Sequence, residues 1–349
     1  MNSFLKVLLV AALLIVTLVI PLGAYTRLSD SGLGCPDWPG CYGFIDFRKS
    51  MEYVNEINSD SPGALREAHK TWPEMVHRYF ASGLGFIIMV LMLGVFLLKY
   101  QSQRDQSSVR SIINWGSLPL LLFILVCFQG VLGMWTVTMK LYPPTVVAHL
   151  YGGFLTFSLL CILLCRVFNF GPSQVDPELS KLRYLGVLSL FLLVVQIGLG
   201  GWMSANYAAL VCTELPVCES GWLGKIVLAE AFSAPYEQGV DYEFGLLSHD
   251  ARVTIHVLHR VLALLFSILA LVFIALLLKG ATAFTKKLTA VLLVLLVIQI
   301  LLGLSNVVFS LPIYVATAHN GVGALLLASH LYLCYLAFGK GLKVKLKVK

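Results

Sequence analysis

Four histidines carry most of the chemistry that this sequence offers. His77, His149, His259 and His319 each fall near the same end of an apolar stretch, and ionisable side chains in a membrane are costly and usually functional. His77-Arg78 recurs as His259-Arg260, and Gln129-x-x-Leu132-Gly133 stands 20 residues before His149, as Gln299-x-x-Leu302-Gly303 does before His319. Two imidazoles at one depth on two helices suit the two axial positions of a haem iron. Gly83 and Gly85, Gly152 and Gly153, and Gly321 and Gly323 leave room for a flat macrocycle beside His77, His149 and His319. Zinc fits less well, because the closely spaced Cys/His clusters of structural zinc sites are missing. A single histidine at a helix end is more often an interfacial hydrogen-bonding group. The duplicated pairing is what argues for ligation.

Other polar residues stand around these four. Glu74 lies three residues before His77, where the other copy has His256 before His259. A buried carboxylate one turn from a ligand can serve as general acid or base; an ordinary carboxylate favoured by the helix dipole is the competing reading. Pro73 in the first turn would fix where that helix starts. Arg78 and Arg260 suit haem propionates, or else snorkel to the interface. Arg27 has Ser204 at its repeat position and belongs to the first copy only. His256 is either a spare ligand or a polar contact, and His330, three turns beyond His319, is expected to pack or hydrogen-bond. Cys35 and Cys41 in CPDWPGC match Cys212 and Cys218 in CTELPVC. In an oxidising compartment each pair is expected to bridge, with a redox-active role as the alternative. Cys127, Cys161, Cys165 and Cys334 read as small apolar residues.

Positioning these residues falls to a membrane scaffold. Of 349 residues, 58% are hydrophobic and 12% charged, too apolar for a soluble domain. The fold class is all-α integral membrane, with eight transmembrane helices expected near 5–26, 78–98, 112–138, 145–167, 183–205, 253–278, 286–309 and 313–338. The first is too long, and lacks the cleavage site, for a signal peptide. The histidine, glutamine and cysteine matches divide the chain into copies, 1–170 and 171–349. Four spans per copy give equal polarity, and hence two pseudo-twofold-related four-helix bundles about an axis along the membrane normal, each with its own site. One side of the membrane holds 15 Lys/Arg against 3 acids and the other 10 against 15, which places both termini in the cytoplasm. The net charge of +7 is therefore a topology signal and does not indicate nucleic-acid binding. The lysine tail, Lys340 to Lys349, reads as an orienting flank, with contact to anionic lipid of the bilayer as the alternative. Residues 45–70 are the least patterned and are assigned nothing beyond a lid.

The run GAYTRLSDSGLGCPDWPGC, the EMVHR that carries Glu74 and His77, and the repeated Gln-x-x-Leu-Gly to His spacing resemble the haem A synthase family over nearly the whole chain. The resemblance implies a haem b cofactor on His259 and His319 in the second half, and haem O as substrate near His77 and His149 in the first. It implies that Glu74 takes part in oxidising a porphyrin methyl group to formyl, with electrons leaving through haem b. It further implies a bacterial inner membrane, sites toward the periplasm, and a haem O synthase and a terminal oxidase assembly pathway as neighbours, and leaves the oligomeric state open. Many family members lack one or both cysteine pairs. The competing classes are a bis-His dihaem electron-transfer cytochrome, a quinone-coupled disulfide oxidoreductase and a transporter. They leave unexplained, in turn, Glu74, the four histidines, and the clustering of polar groups at one boundary.

Overall fold

The computed structural model describes residues 2–60, 67–104, 115–172 and 174–339. Among them, eight helices are long and apolar enough to cross a bilayer: Asn2–Leu28, Thr71–Arg104, Leu118–Thr138, Pro143–Val167, Arg183–Ala205, His249–Gly280, Ala283–Val308 and Ile313–Ala337, the first to eighth spans. No strand occurs among the described residues. The expected eight stretches are all helical, with shifted ends. The second span starts at Thr71 and the sixth at His249, so His77 and His259 sit roughly two and three turns inside their helices. Polar residues that hydropathy does not count extend both helices, and Ser248 caps the sixth by accepting from the Ala251 N–H at 3.2 Å. The third span begins only after Ser117, with Pro119 in its first turn. Arg110 and the lysine tail lie outside the described residues.

In hydrocarbon, helices associate through van der Waals packing and gain little from the hydrophobic effect. The first span buries Leu5, Leu9, Ala12 and Val16, and the second buries Leu84, Ile88, Leu91, Val95 and Leu98. These are helical stripes, while equally apolar residues such as Phe4, Leu14, Phe86 and Phe96 face outward. The first span packs on the second as the fifth does on the sixth, and the third on the fourth as the seventh on the eighth. Second–third and first–fourth contacts likewise recur as sixth–seventh and fifth–eighth. Between the sets of four, the first meets the eighth as the fourth meets the fifth, and the fourth meets the eighth. The eighth span forms the centre: 61% of its apolar window is buried, against 17% in the first, third and seventh. Gly201 permits the fourth–fifth contact, since a Cβ there would lie 2.7 Å from Leu150 Cδ2.

Both cysteine pairs lie on one side of the membrane, hereafter the disulfide side. There the first connection carries a helix that the sequence reading missed, Phe47–Asp60, which buries Ser50 and Val54 and packs on the second span. Its few apolar residues give too short a pattern to stand out. The connection before the sixth span reaches over the third–fourth turn: Tyr142 Oη donates to Ala234 O at 2.6 Å, Lys140 Nζ to Gly239 O at 3.0 Å, and Tyr242 N to Lys140 O at 3.1 Å.

On the opposite side, buried Asp176 ties the fourth–fifth connection to the sixth–seventh turn. It accepts from Glu178 N, Leu179 N, Thr282 N and Thr282 Oγ1 at 2.6–3.2 Å. Burial pushes its carboxyl up, but the Thr282 and Thr285 hydroxyls and the Thr282 and Leu179 N–H groups outweigh burial and bring it down to about 2. Because the folded value lies below the unfolded one, the stabilisation is present above about pH 4 and is lost as pH falls through about 2. Asp176→Ala is therefore expected to melt lower than wild type in detergent at pH 7. The gap should close as pH falls from about 4 to about 2; a gap that ignores pH would show that the carboxylate charge is not involved.

Candidate functional site

Each of the four histidines lies against a glycine of the preceding span. A Cβ on Gly23 would stand 2.8 Å from His77 Cε1, on Gly133 3.4 Å from His149 Cε1, on Gly200 3.1 Å from His259 Cε1 and on Gly303 3.2 Å from His319 Cε1. The glycines are seats: at Gly23, Gly200 and Gly303 a larger residue would crowd the ring, and at Gly133 a Cβ would just touch it. All four histidines are only partly buried, yet Nδ1 of His77, His149 and His319 is enclosed.

The structure brings His77 and His149 together, with ring centres 6.5 Å apart and planes at 83°. Metal–nitrogen bonds of about 2 Å on each side put two imidazoles across one iron at roughly 6 Å between centres, so these rings fit a haem between them. His259 and His319 are within electrostatic reach of each other, and each meets a glutamine amide. Gln196 Nε2 lies 3.1 and 3.2 Å from the two His259 ring nitrogens, and Gln299 Nε2 lies 3.3 Å from His319 Nε2. Beside His149, one turn toward the disulfide side, Trp135, Thr138, Met139 and Thr145 line an open groove of about 450 Å³, which Tyr236 borders from the long connection.

Glu74 is 5% exposed, accepts the Cys35 N–H at 3.0 Å and pairs with Arg78. Arg78 also donates to Asp37 O, Pro39 O and Gly40 O at 2.9, 3.2 and 2.5 Å. Arg260 does the same in the second copy, donating to Cys212 O, Glu214 O and Val217 O at 2.6–2.7 Å. Each guanidinium thus clasps the neighbouring Cys35–Cys41 or Cys212–Cys218 loop through its backbone, and both loops are disulfide-bridged. This is where the two propionate candidates stand, and it was not legible in the sequence because carbonyl acceptors leave no trace there.

The repeat-mate of Glu74, His256, is buried and directs Nδ1 to Ala208 O at 2.9 Å, which makes it a polar contact. His330 is 0% exposed, holds Gly186 O at 3.1 Å and stacks on Phe273, in line with the hydrogen-bonding role expected of it. His69 lies in the short turn Ala68–Lys70, and His249 is the first residue of the sixth span. Arg27 donates to the carbonyl of its own repeat-mate, Ser204, at 2.6 Å and lies 4.1 Å over the Tyr207 ring. Among the described residues, the one cluster of metal-ligating types outside the histidine pairs is Cys212, Cys218 and Glu219, and its two cysteines are consumed by the disulfide.

Residues 6–331 match the model of the cytochrome oxidase assembly protein family. The chain belongs to this family. It is 44% identical over 323 residues to a heme A synthase of Shewanella oneidensis, a match that covers 93% of each chain. A Wolbachia heme A synthase from Brugia malayi is 26% identical over 345 residues (93% of this chain, 94% of the relative), and one from Brucella ovis 25% over 338 (92% and 88%). Membership of this family of membrane proteins makes the chain an oxidoreductase enzyme.

The seats expose a finer repeat than the one read from the sequence. Leu-Gly closes the same five-residue pattern in all four odd-numbered spans: Val19 to Gly23, Gln129 to Gly133, Gln196 to Gly200 and Gln299 to Gly303. The first and third of these seat the histidines of the second and sixth spans, and following the Leu-Gly close of the known match into the first and fifth spans would have found them. Replacing Arg260 by Met removes hydrogen bonds from a charged donor, each worth roughly 1.5–3 kcal/mol. The Cys212–Cys218 bridge is then expected to reduce about tenfold faster or more, followed by maleimide labelling under mild reductant. Labelling at the wild-type rate would show that the clasp does not protect the loop.

Proposed function

We propose that the protein oxidises the ring methyl group of haem O to a formyl group, giving haem A. Support comes from the relatives' printed name together with one observation, the facing His77–His149 pair with buried Glu74 one turn away. In this reading residues 1–170 form the substrate half, where His77 and His149 hold haem O, and residues 171–349 form the cofactor half, where His259 and His319 hold haem b. When bound, haem b supplies an electron-transfer centre. The recurring helix pairings and the contact between repeat-mates Arg27 and Ser204 favour two bundles related by a pseudo-twofold axis through that contact.

Turning a methyl carbon into an aldehyde adds an oxygen atom, and with water as the oxygen source it releases both electrons and protons. Glu74 is the acid/base group available for the protons: its Oε2 accepts the Cys35 N–H, and Arg78 holds Oε1. The two contacts fix the direction of the carboxylate, and burial beside the histidines excludes bulk water from it. Arg78 and Arg260 hold the disulfide loops over the two sites through backbone carbonyls. The positive-inside count favours cytoplasmic termini in a bacterial inner membrane, and hence sites toward the periplasm. A haem O synthase would then supply the substrate and a terminal oxidase assembly pathway would receive the product.

The deciding experiment is chromatographic identification of haems extracted from protein made in cells that supply haem O. Haem b together with haem O or haem A is expected; haem b alone at two per chain would replace this reading with an electron-transfer cytochrome. His259→Ala and His319→Ala are each expected to lose haem b specifically. Glu74→Ala is expected to keep bound haem while conversion falls by about a hundredfold or more. Normal product from that variant would remove Glu74 from the mechanism.

A further inference from the structure

We propose that Tyr151 is a positioning residue for the second site: it reaches out from the span that carries His149 and braces the fifth span from behind, at the place where His259 is seated. The proposal rests on the reading that His259 and His319 hold haem b. It deepens that reading by giving one residue of the first half a part in holding the haem of the second.

Residues two apart on a helix point in nearly opposite directions. His149 and Tyr151 therefore leave the fourth span on opposite sides. His149 turns toward His77, and Tyr151 turns toward the fifth span, where its Oη donates to Val194 O at 2.7 Å. The tyrosine ring lies over Gly198, since a Cβ there would overlap its hydroxyl. Gly198 and Gly200 are again two apart, and Gly200 is the seat, where a Cβ would stand 3.1 Å from His259 Cε1. The fifth span thus passes between two rings, Tyr151 on one side and His259 on the other, with no side chain of its own at either position. Glycine is also among the poorest helix formers, and Gly198, Gly200 and Gly201 follow closely on one another here. A pliant stretch of backbone keeps a ring in place only when something stands behind it, and close packing passes a displacement from one side to the other.

The matching contact of the other copy is built differently. The repeat-mate of Tyr151 is Gly321, and that of Gly198 is Pro21. Gly321 has no side chain to send toward the first span, and a Cβ there would meet nothing within 4 Å. Pro21 lacks the N–H of a regular helical turn. The first span packs on the eighth as the fifth does on the fourth, yet no ring of the eighth span stands at the position that matches Tyr151. The brace therefore belongs to the seat of His259, and a braced ligand suits a haem that stays.

The test compares wild type with Tyr151→Phe and Tyr151→Ala in full-length protein purified from cells that supply haem O. It reads the EPR signal of the second-site haem, identified as the one that His259→Ala removes, and the loss of each haem to excess apomyoglobin, with the haems told apart by chromatography. Y151A is expected to shift that signal and to lose haem b about tenfold faster or more, while loss of the first-site haem stays within about twofold of wild type. Y151F keeps the ring and removes the bond to Val194 O, so it is expected to fall between, at about fivefold. A wild-type signal with wild-type loss of haem b in Y151A would overturn the proposal. Equal acceleration at both sites would overturn it too, because Tyr151 would then only hold two helices together. Should Y151A fail to fold, Y151F decides, and a wild-type signal and loss rate in that variant overturn the proposal. If wild-type protein lacks haem b, or if His259→Ala keeps it, the underlying haem reading fails instead and the proposal falls with it.

Discussion

A polar ring inside a bilayer is tolerated where protein surrounds it, and this chain meets that constraint the same way four times. Each imidazole lies with its Cε1 edge against a glycine of the preceding span, in the hairpins that close first on second, third on fourth, fifth on sixth and seventh on eighth. At those four places a ring edge meets helix backbone with no side chain between, so the seats belong to the packing as well as to the site. The fourth and eighth spans occupy the centre: each packs on its own hairpin partner, on both the first and the fifth spans, and on the other.

Where four seats repeat, departures from the repeat are informative. Glu74 stands against His256, Val19 against Gln196, and Arg27 against Ser204. Two of these three place the distinct chemistry beside His77, and the third closes the contact between the two sets of spans on the disulfide side. Residues held in common, including the seats, the clasping arginines and the bridged loops, build a frame. The uncommon ones make the two halves of that frame chemically unlike.

Much of this was legible in the sequence for physical reasons. Twenty-residue apolar runs have few alternatives to membrane helices, and duplication shows itself wherever a function needs the same residue twice, as with His149 and His319. What escaped was of another kind. The buried stripes of the first two spans could not be told from their lipid-facing sides, since Leu14 and Leu9 are equally apolar and only one is buried. The Phe47–Asp60 helix is mostly polar and is defined by two buried residues, Ser50 and Val54. The grip of Arg78 and Arg260 falls on backbone oxygen, which every residue has. The seats at Gly23 and Gly200 were hidden because Val19 stands in the first span where the other three have glutamine, and a repeat is hardest to see where one copy has changed.

The arginine clasps have a consequence for how the surface can diversify. Each guanidinium reads the course of the chain between two bridged cysteines and takes no side chain from within that stretch. CPDWPGC and CTELPVC share only their cysteines and one proline, yet Asp37 and Glu214, and Gly40 and Val217, offer matching carbonyls. Most of the outward-facing side chains are thereby uncommitted. Charge and shape on this face can drift, or be recruited to meet new neighbours, while the turn of helix that carries each histidine stays where it is.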